Sequence, residues 1–161
     1  MKQMRKKVRN PYNLGDNPCF GCSDKNPIGL KLEFEESEKY LHARWNPEKH
    51  YQGYINILHG GIIATLMDET SAWCINVKAG KAGVTSELKI KYLKPVFVNK
   101  GEITLEARIT ERSLRNISVH CSLMDPSGTV CAESESLFFV YPDEIARRKF
   151  NFPGKEAFSP D

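Results

Sequence analysis

The chain has no apolar run approaching the roughly 20 residues that a membrane-spanning helix requires, so no transmembrane segment is expected. Its N-terminus, MKQMRKKVRNPYNLGDNP, is basic, yet no apolar stretch follows as it would in a secretory signal, and a cytoplasmic location is expected. A nucleophile elbow of the form Gly-x-Ser-x-Gly and a phosphate-binding GxxxxGK loop are both missing. The four histidines, at positions 42, 50, 59 and 120, lack metal-ligand spacing. Serine-hydrolase, nucleotidase and zinc-enzyme chemistry therefore find no support. No nucleic-acid motif accompanies the basic residues Lys2, Arg5, Lys6, Lys7 and Arg9, which read as a frayed, solvated tail over residues 1–16.

Cysteine is present but sparse: five residues, an odd number, without the density of a disulfide scaffold. Reduced thiols are expected. Cys19-Phe-Gly-Cys22 has metal-ligand or redox spacing, but a second ligand pair for zinc is lacking, and the motif does not sit at a strand-to-helix junction of the thioredoxin kind. It reads as a loop, with no metal and no cofactor expected.

The remainder is a soluble globular composition, 40% hydrophobic and 27% charged with a net charge of +3, on 161 residues that suit one domain. Leu30-Lys-Leu-Glu-Phe34 and Leu41-His-Ala-Arg-Trp45 alternate apolar and polar residues as a β-hairpin does. From Ile62 to about Val77 the apolar residues recur at helical spacing, and Gly80 ends the helix. The period then returns to two over Val84–Val96, Glu102–Arg112, Ile117–Leu123 and Ala132–Val140, which predicts an antiparallel meander. Residues 143–149 suit a short helix, and the last dozen residues a loose tail. The order β-β-α-β-β-β-β gives an α+β fold in which one long helix covers an antiparallel sheet of about six strands.

The chemistry concentrates around that helix. His59-Gly60-Gly61 opens it, and each glycine costs on the order of 1 kcal/mol relative to alanine in a helix. Free N–H groups and the positive end of the dipole at this turn attract developing negative charge, and glycine lets a ligand atom approach them. Gly60 N–H is thus a candidate oxyanion donor, while His59 is either a cap or a group that positions substrate or water. Asp68 falls outside the apolar stripe beside Ala64, Ser71, Ala72 and Ile75, mostly small residues, where another chain or a ligand can come close. Glu69 points toward the Ile62 edge, so the two acids are not expected to work as a pair. Arg112 and Arg115, at a predicted hairpin, are either exposed loop cations or contacts for phosphates.

His59-Gly60-Gly61, Asp68 nine residues after the histidine, and the strand Val84-Thr-Ser-Glu-Leu-Lys-Ile-Lys-Tyr-Leu-Lys-Pro95 together resemble the hotdog-fold acyl-CoA thioesterases of the phenylacetate-pathway and thioesterase-superfamily-member type. Asn17-Pro-Cys-Phe-Gly-Cys22 and Asn26-Pro-Ile-Gly-Leu30 resemble a subset of the same family. The resemblance implies a hotdog domain over residues 17–142, followed by an extension at 143–161. It further implies a homodimer with active sites at the interface, with dimers often pairing into tetramers, and acyl-CoA as substrate. Gly60 N–H would polarise the thioester carbonyl, with Asp68 of the partner subunit as general base or nucleophile. Gly61, Asn56, Thr85, Ser86, Arg112 and Arg115 would line the substrate site. Several relatives carry an asparagine six residues before the histidine; here that position is Gly53, which leaves water positioning to His59, Thr85 or Asn56. The competing reading is a non-catalytic acyl-CoA-binding hotdog module, which would need no base.

Overall fold

The computed structural model describes residues 4–160. Seven strands form one antiparallel sheet in the order β1-β2-β3-β5-β6-β7-β4. They are β1 (Lys6–Lys7), β2 (Glu33–Glu36), β3 (Leu41–Trp45), β4 (Gly83–Tyr92), β5 (Ile103–Arg112), β6 (Asn116–Met124) and β7 (Val130–Val140). Helix α1 (Gly60–Cys74) crosses one face of the sheet, and the short α2 (Asp143–Phe150) follows β7.

Alternation within each strand selects the face that meets α1. Leu105, Ala107, Val119, Cys121 and Phe138 are all buried on it, and Ile63, Leu66, Met67, Thr70, Trp73 and Cys74 answer from the helix. The helix continues as a wider π-helical turn, Ile75–Ala79, until Gly80 takes a left-handed conformation (φ 62°) that returns the last N–H groups to the helix carbonyls. The expected helix is therefore present with its expected end.

The expected four-strand meander holds only for β5, β6 and β7: β4 does not pair with β5 but lies beside β7 at the sheet edge, and its own pairing is irregular. The β4–β7 register runs Val84 to Phe139 and Thr85 to Phe138, then resumes at Glu87 with Leu137, leaving Ser86 as an extra residue in a β-bulge. Ser86 Oγ donates to Leu137 C=O at 2.9 Å. An inserted residue reverses the facing of everything beyond it. Thr85, Leu88, Ile90 and Tyr92 consequently share the face of Phe138, Ser136, Ser134 and Ala132. A regular strand would turn Thr85 away from the other three.

Both ends of the chain differ from expectation. Residues 1–16 are not a frayed tail throughout: Lys6 and Lys7 pair with Glu36 and Glu35 of β2, adding a seventh strand, and Val8 is buried. Lys2 lies outside the described residues. The first expected strand, Leu30–Phe34, shifts to Glu33–Glu36, because Leu30 and Leu32 donate their N–H groups to Phe20 and Gly21 in the Cys19–Cys22 loop. Of the last dozen residues, those described are not loose. Phe152 and Phe158 are buried, and Phe158 C=O accepts from Arg9 N–H at 2.9 Å.

Trp73 organises these ends. Phe34 stacks on it at 4.5 Å, while Phe158 and Tyr12 meet its edge or face at 5.3 and 6.0 Å. At 2% exposure each, Trp73 and Phe158 belong to the core. Phe158→Ala should therefore lower unfolding free energy by about 3–5 kcal/mol, measured by urea titration. A loss below about 0.5 kcal/mol, the range of ordinary surface changes, would contradict the packing described.

Candidate active site

The two glycines at the start of α1 have different causes. His59 is the N-cap residue, and its Nδ1 accepts the Gly61 N–H at 2.9 Å, satisfying one of the free donors of the first turn. A Cβ at Gly61 would stand 3.1 Å from that nitrogen, closer than ordinary contact, so any larger residue there would press the capping ring aside by a few tenths of an ångström. Accepting at Nδ1 assigns the imidazole proton to Nε2, which leaves an N–H donor on the far side of the ring. His59 N–H in turn donates to Tyr51 C=O at 3.0 Å.

Gly60 is not demanded by packing. A Cβ there would meet only the Tyr92 ring, at an ordinary 3.6 Å. Its C=O accepts from the Tyr92 hydroxyl at 2.9 Å, while its N–H has no acceptor among the described residues. Ile57, Leu58, Ile63, Tyr92 and Leu93 line a shallow groove of about 230 Å³ against this turn. The free donor thus sits beside this groove at the positive end of a long helix.

Asp68 lies eight residues along the same helix, about 12 Å up the axis at 1.5 Å per residue. Thr85 Oγ1 donates to its Oδ1 at 2.7 Å, a contact that exists because the Ser86 bulge turns Thr85 toward α1. The other carboxylate oxygen has no hydrogen-bond partner among the described residues. Asp68 and Thr85 are therefore brought together, whereas Ser86 is spent on the bulge and does not join them.

Glu69 diverges from Asp68, as expected. Its Oε1 accepts from Trp73 Nε1 at 3.1 Å and from Cys19 Sγ at 3.5 Å. Burial, with the neighbouring Cys19 adding to it, pushes its carboxyl up to about 7. The hydrogen bond from Cys22 holds the Cys19 thiol below its ordinary value, and the same bond together with burial raises that of Cys22.

The remaining candidates separate. Asn56 adopts a left-handed backbone (φ 63°), and its amide is committed to Asn99, donating to Oδ1 at 2.9 Å and accepting from the backbone N–H at 3.1 Å. That makes it a loop anchor in this chain. Arg112 Nη2 donates to Ala79 C=O at 3.3 Å beyond the end of α1. Together with Arg115 and Lys81 it lines a pocket of about 310 Å³ at the end of the sheet where β4 begins. Trp73 and Phe138 belong to the core, whereas Tyr54 is 85% exposed.

Sequence reasoning missed Tyr92, whose hydroxyl pins the first turn of α1, and Tyr51, whose carbonyl holds His59. Tyr92 ends the alternating run Leu88-Lys-Ile-Lys-Tyr92, so its facing was readable; its partner was not.

Comparison with known proteins adds a second line of support. Residues 55–132 match the family model described as Thioesterase superfamily. "Putative esterase SSO1253" of Saccharolobus solfataricus is 32% identical over 114 residues, covering 70% of this chain and 75% of that protein. Among solved structures, the thioesterase superfamily protein RHA08564 aligns with a TM-score of 0.68 at 25% identity; the match spans 76% of this chain and 59% of that one. The BH2602 protein of Bacillus halodurans, solved with CoA, aligns with a TM-score of 0.57 at 29% identity, over 62% of this chain and 66% of its own. With one long helix laid across an antiparallel sheet and these matches, the chain belongs to the thioesterase superfamily and has its hotdog fold.

Proposed function

We propose that the protein hydrolyses acyl-CoA thioesters to a carboxylic acid and free CoA at sites built from two copies of the chain. The observation that carries this reading is a helix N-terminus with an unused N–H at Gly60, a residue whose lack of a side chain serves no packing need of its own. A thioester carbonyl approaching Gly60 N–H gains a hydrogen bond as its oxygen becomes anionic, which lowers the barrier to the tetrahedral intermediate. His59 Nε2–H supplies a second donor for the substrate or for the attacking water.

The attacking oxygen needs a carboxylate within hydrogen-bond reach. About 12 Å of helix separates Gly60 from Asp68 of the same chain, too far for both to act on one carbonyl. Asp68 of the partner subunit, as general base on water or as nucleophile, resolves this. Collapse of the intermediate breaks the C–S bond, and the CoA thiolate leaves.

The free edge of the sheet supports such pairing. Among the described residues, the ten-residue strand β4 pairs with no strand but β7, and Val84, Tyr92 and Leu93 are exposed along it or just beyond its end. Long unprotected edges are templates for another strand, and a second β4 is the natural occupant. Lys81, Arg112 and Arg115 are the cations proposed for the CoA phosphates. All five cysteines are free, in keeping with a reducing compartment such as the cytoplasm.

CoA release from short, long and aryl acyl-CoAs, followed by chromatography, tests the proposal. Wild type should turn over at least one of them, and Asp68→Asn should lose about 100-fold or more in rate, as removal of a general base costs. Turnover by neither protein, with equal acyl-CoA binding by both, would overturn the enzymatic reading in favour of a binding module. Gly60→Pro offers a sharper test: proline is accepted at the first helical position, and His59, at ψ 134°, already has the extended backbone favoured before proline. The variant should fold while losing about 10²–10³ in kcat through the missing N–H. Full activity in Gly60→Pro would remove Gly60 from the reaction.

A further inference from the structure

The Cys19–Cys22 loop and Glu69 form a cluster that thioester hydrolysis does not use. We propose that Cys19, Cys22 and Glu69 bind a zinc-type divalent cation, which fastens the N-terminal loop to α1.

The loop brings its two thiols together through a single helical-type turn, in which Ser23 N–H donates to Cys19 C=O at 3.1 Å. Both sulfurs and a Glu69 carboxylate oxygen lie within 4.8 Å of one another. Cys19 Sγ stands 3.5 Å from Glu69 Oε1. A tetrahedral zinc ion with bonds of about 2.3 Å to sulfur and about 2.0 Å to oxygen sets the sulfur-to-oxygen separation at about 3.5 Å. The spacing therefore already matches a shared ion.

The surroundings are built for it. A Cβ at Gly21 would fall 2.5 Å from Glu69 Cδ, so the backbone between the two cysteines closes directly over the carboxylate. Backbone bonds from Leu30 and Leu32 to Phe20 and Gly21, and a bond from the Asn10 side-chain Nδ2 to Cys22 C=O at 2.9 Å, hold that shape before any ion arrives. Among the described residues, no lysine, arginine or histidine pairs with Glu69, although the side chain is largely enclosed. A cation supplies the missing countercharge.

Two sulfur ligands select zinc over magnesium or calcium. Cys19 is only half-buried, so water completes the fourth position from the solvent side. On binding, each thiol gives its proton to solvent and becomes a thiolate ligand. Because Asp68 turns toward Thr85 and Glu69 toward this loop, the ion sits apart from the proposed reaction centre and its role is structural.

The test is metal analysis of the full-length, untagged protein produced in zinc-supplemented medium, together with replacement of zinc by cobalt(II). Wild type should carry one zinc per chain and, with cobalt, show thiolate-to-metal charge-transfer absorption. Cys19→Ser and Cys22→Ser should each lose the ion, Glu69→Gln should hold it more weakly, and Cys131→Ser should behave as wild type. The proposal fails if zinc-saturated, fully reduced wild type holds no stoichiometric metal and gives no cobalt–thiolate band. It fails equally if the two thiols are isolated as a Cys19–Cys22 disulfide and, once reduced, take up no cobalt. The wild-type measurements decide the matter even where a variant does not fold.

Discussion

One extra residue in β4 holds the geometry of the proposed site together. Ser86 shifts the strand by a single position, and that shift points Thr85 at Asp68 while Tyr92 still reaches Gly60. Each hydrogen bond contributes only about 1 kcal/mol net, so neither is what keeps α1 on the sheet. Burial of Leu66, Met67, Trp73 and Cys74 does that, with each large apolar side chain contributing about 1.5–3 kcal/mol. The bulge instead fixes the rotation and height of a helix already docked by its apolar face. Donor and carboxylate are then presented from rigid elements, as a preorganised site requires.

The opposite flank of α1 carries a different load. Trp73 gathers Phe34, Tyr12 and Phe158 around itself, so the strand hairpin and both ends of the chain converge on one indole. Its Nε1–H reaches Glu69, the carboxylate enclosed by the Cys19–Cys22 loop. Successive acids on α1 thus divide the labour: Asp68 faces the sheet edge proposed for catalysis, and Glu69 anchors the N-terminal segment.

The helix and most strands were legible because their signal is periodic and local. Ile63, Leu66, Met67, Thr70, Trp73 and Cys74 recur at 3.6 residues, and Ile103, Leu105 and Ala107 at two. What lacked a period was missed. Lys6–Lys7 has no alternation and is a strand only because Glu35 and Glu36 lie opposite. Phe152 and Phe158 stand in a segment with no repeat, and only a folded Trp73 gives Phe158 a place. His59, Gly60 and Asp68 could be singled out from residue type and spacing, whereas the Ser86 bulge could not, since one inserted residue changes facing without changing composition. The third candidate ligand beside Cys19 and Cys22 was hidden for a related reason: Glu69 meets them through tertiary structure.

On the proposed mechanism each reaction centre takes Gly60 from one chain and Asp68 from another. Mixed dimers of differently tagged Asp68→Ala and Gly60→Pro chains, isolated through both tags, test it most directly. Each such dimer has one site with an intact Gly60 and an intact Asp68, so about half of the wild-type rate should return although both parent variants are inactive. Mixed dimers as inactive as their parents, or a chain that forms no dimer while still turning over substrate, would contradict the claim.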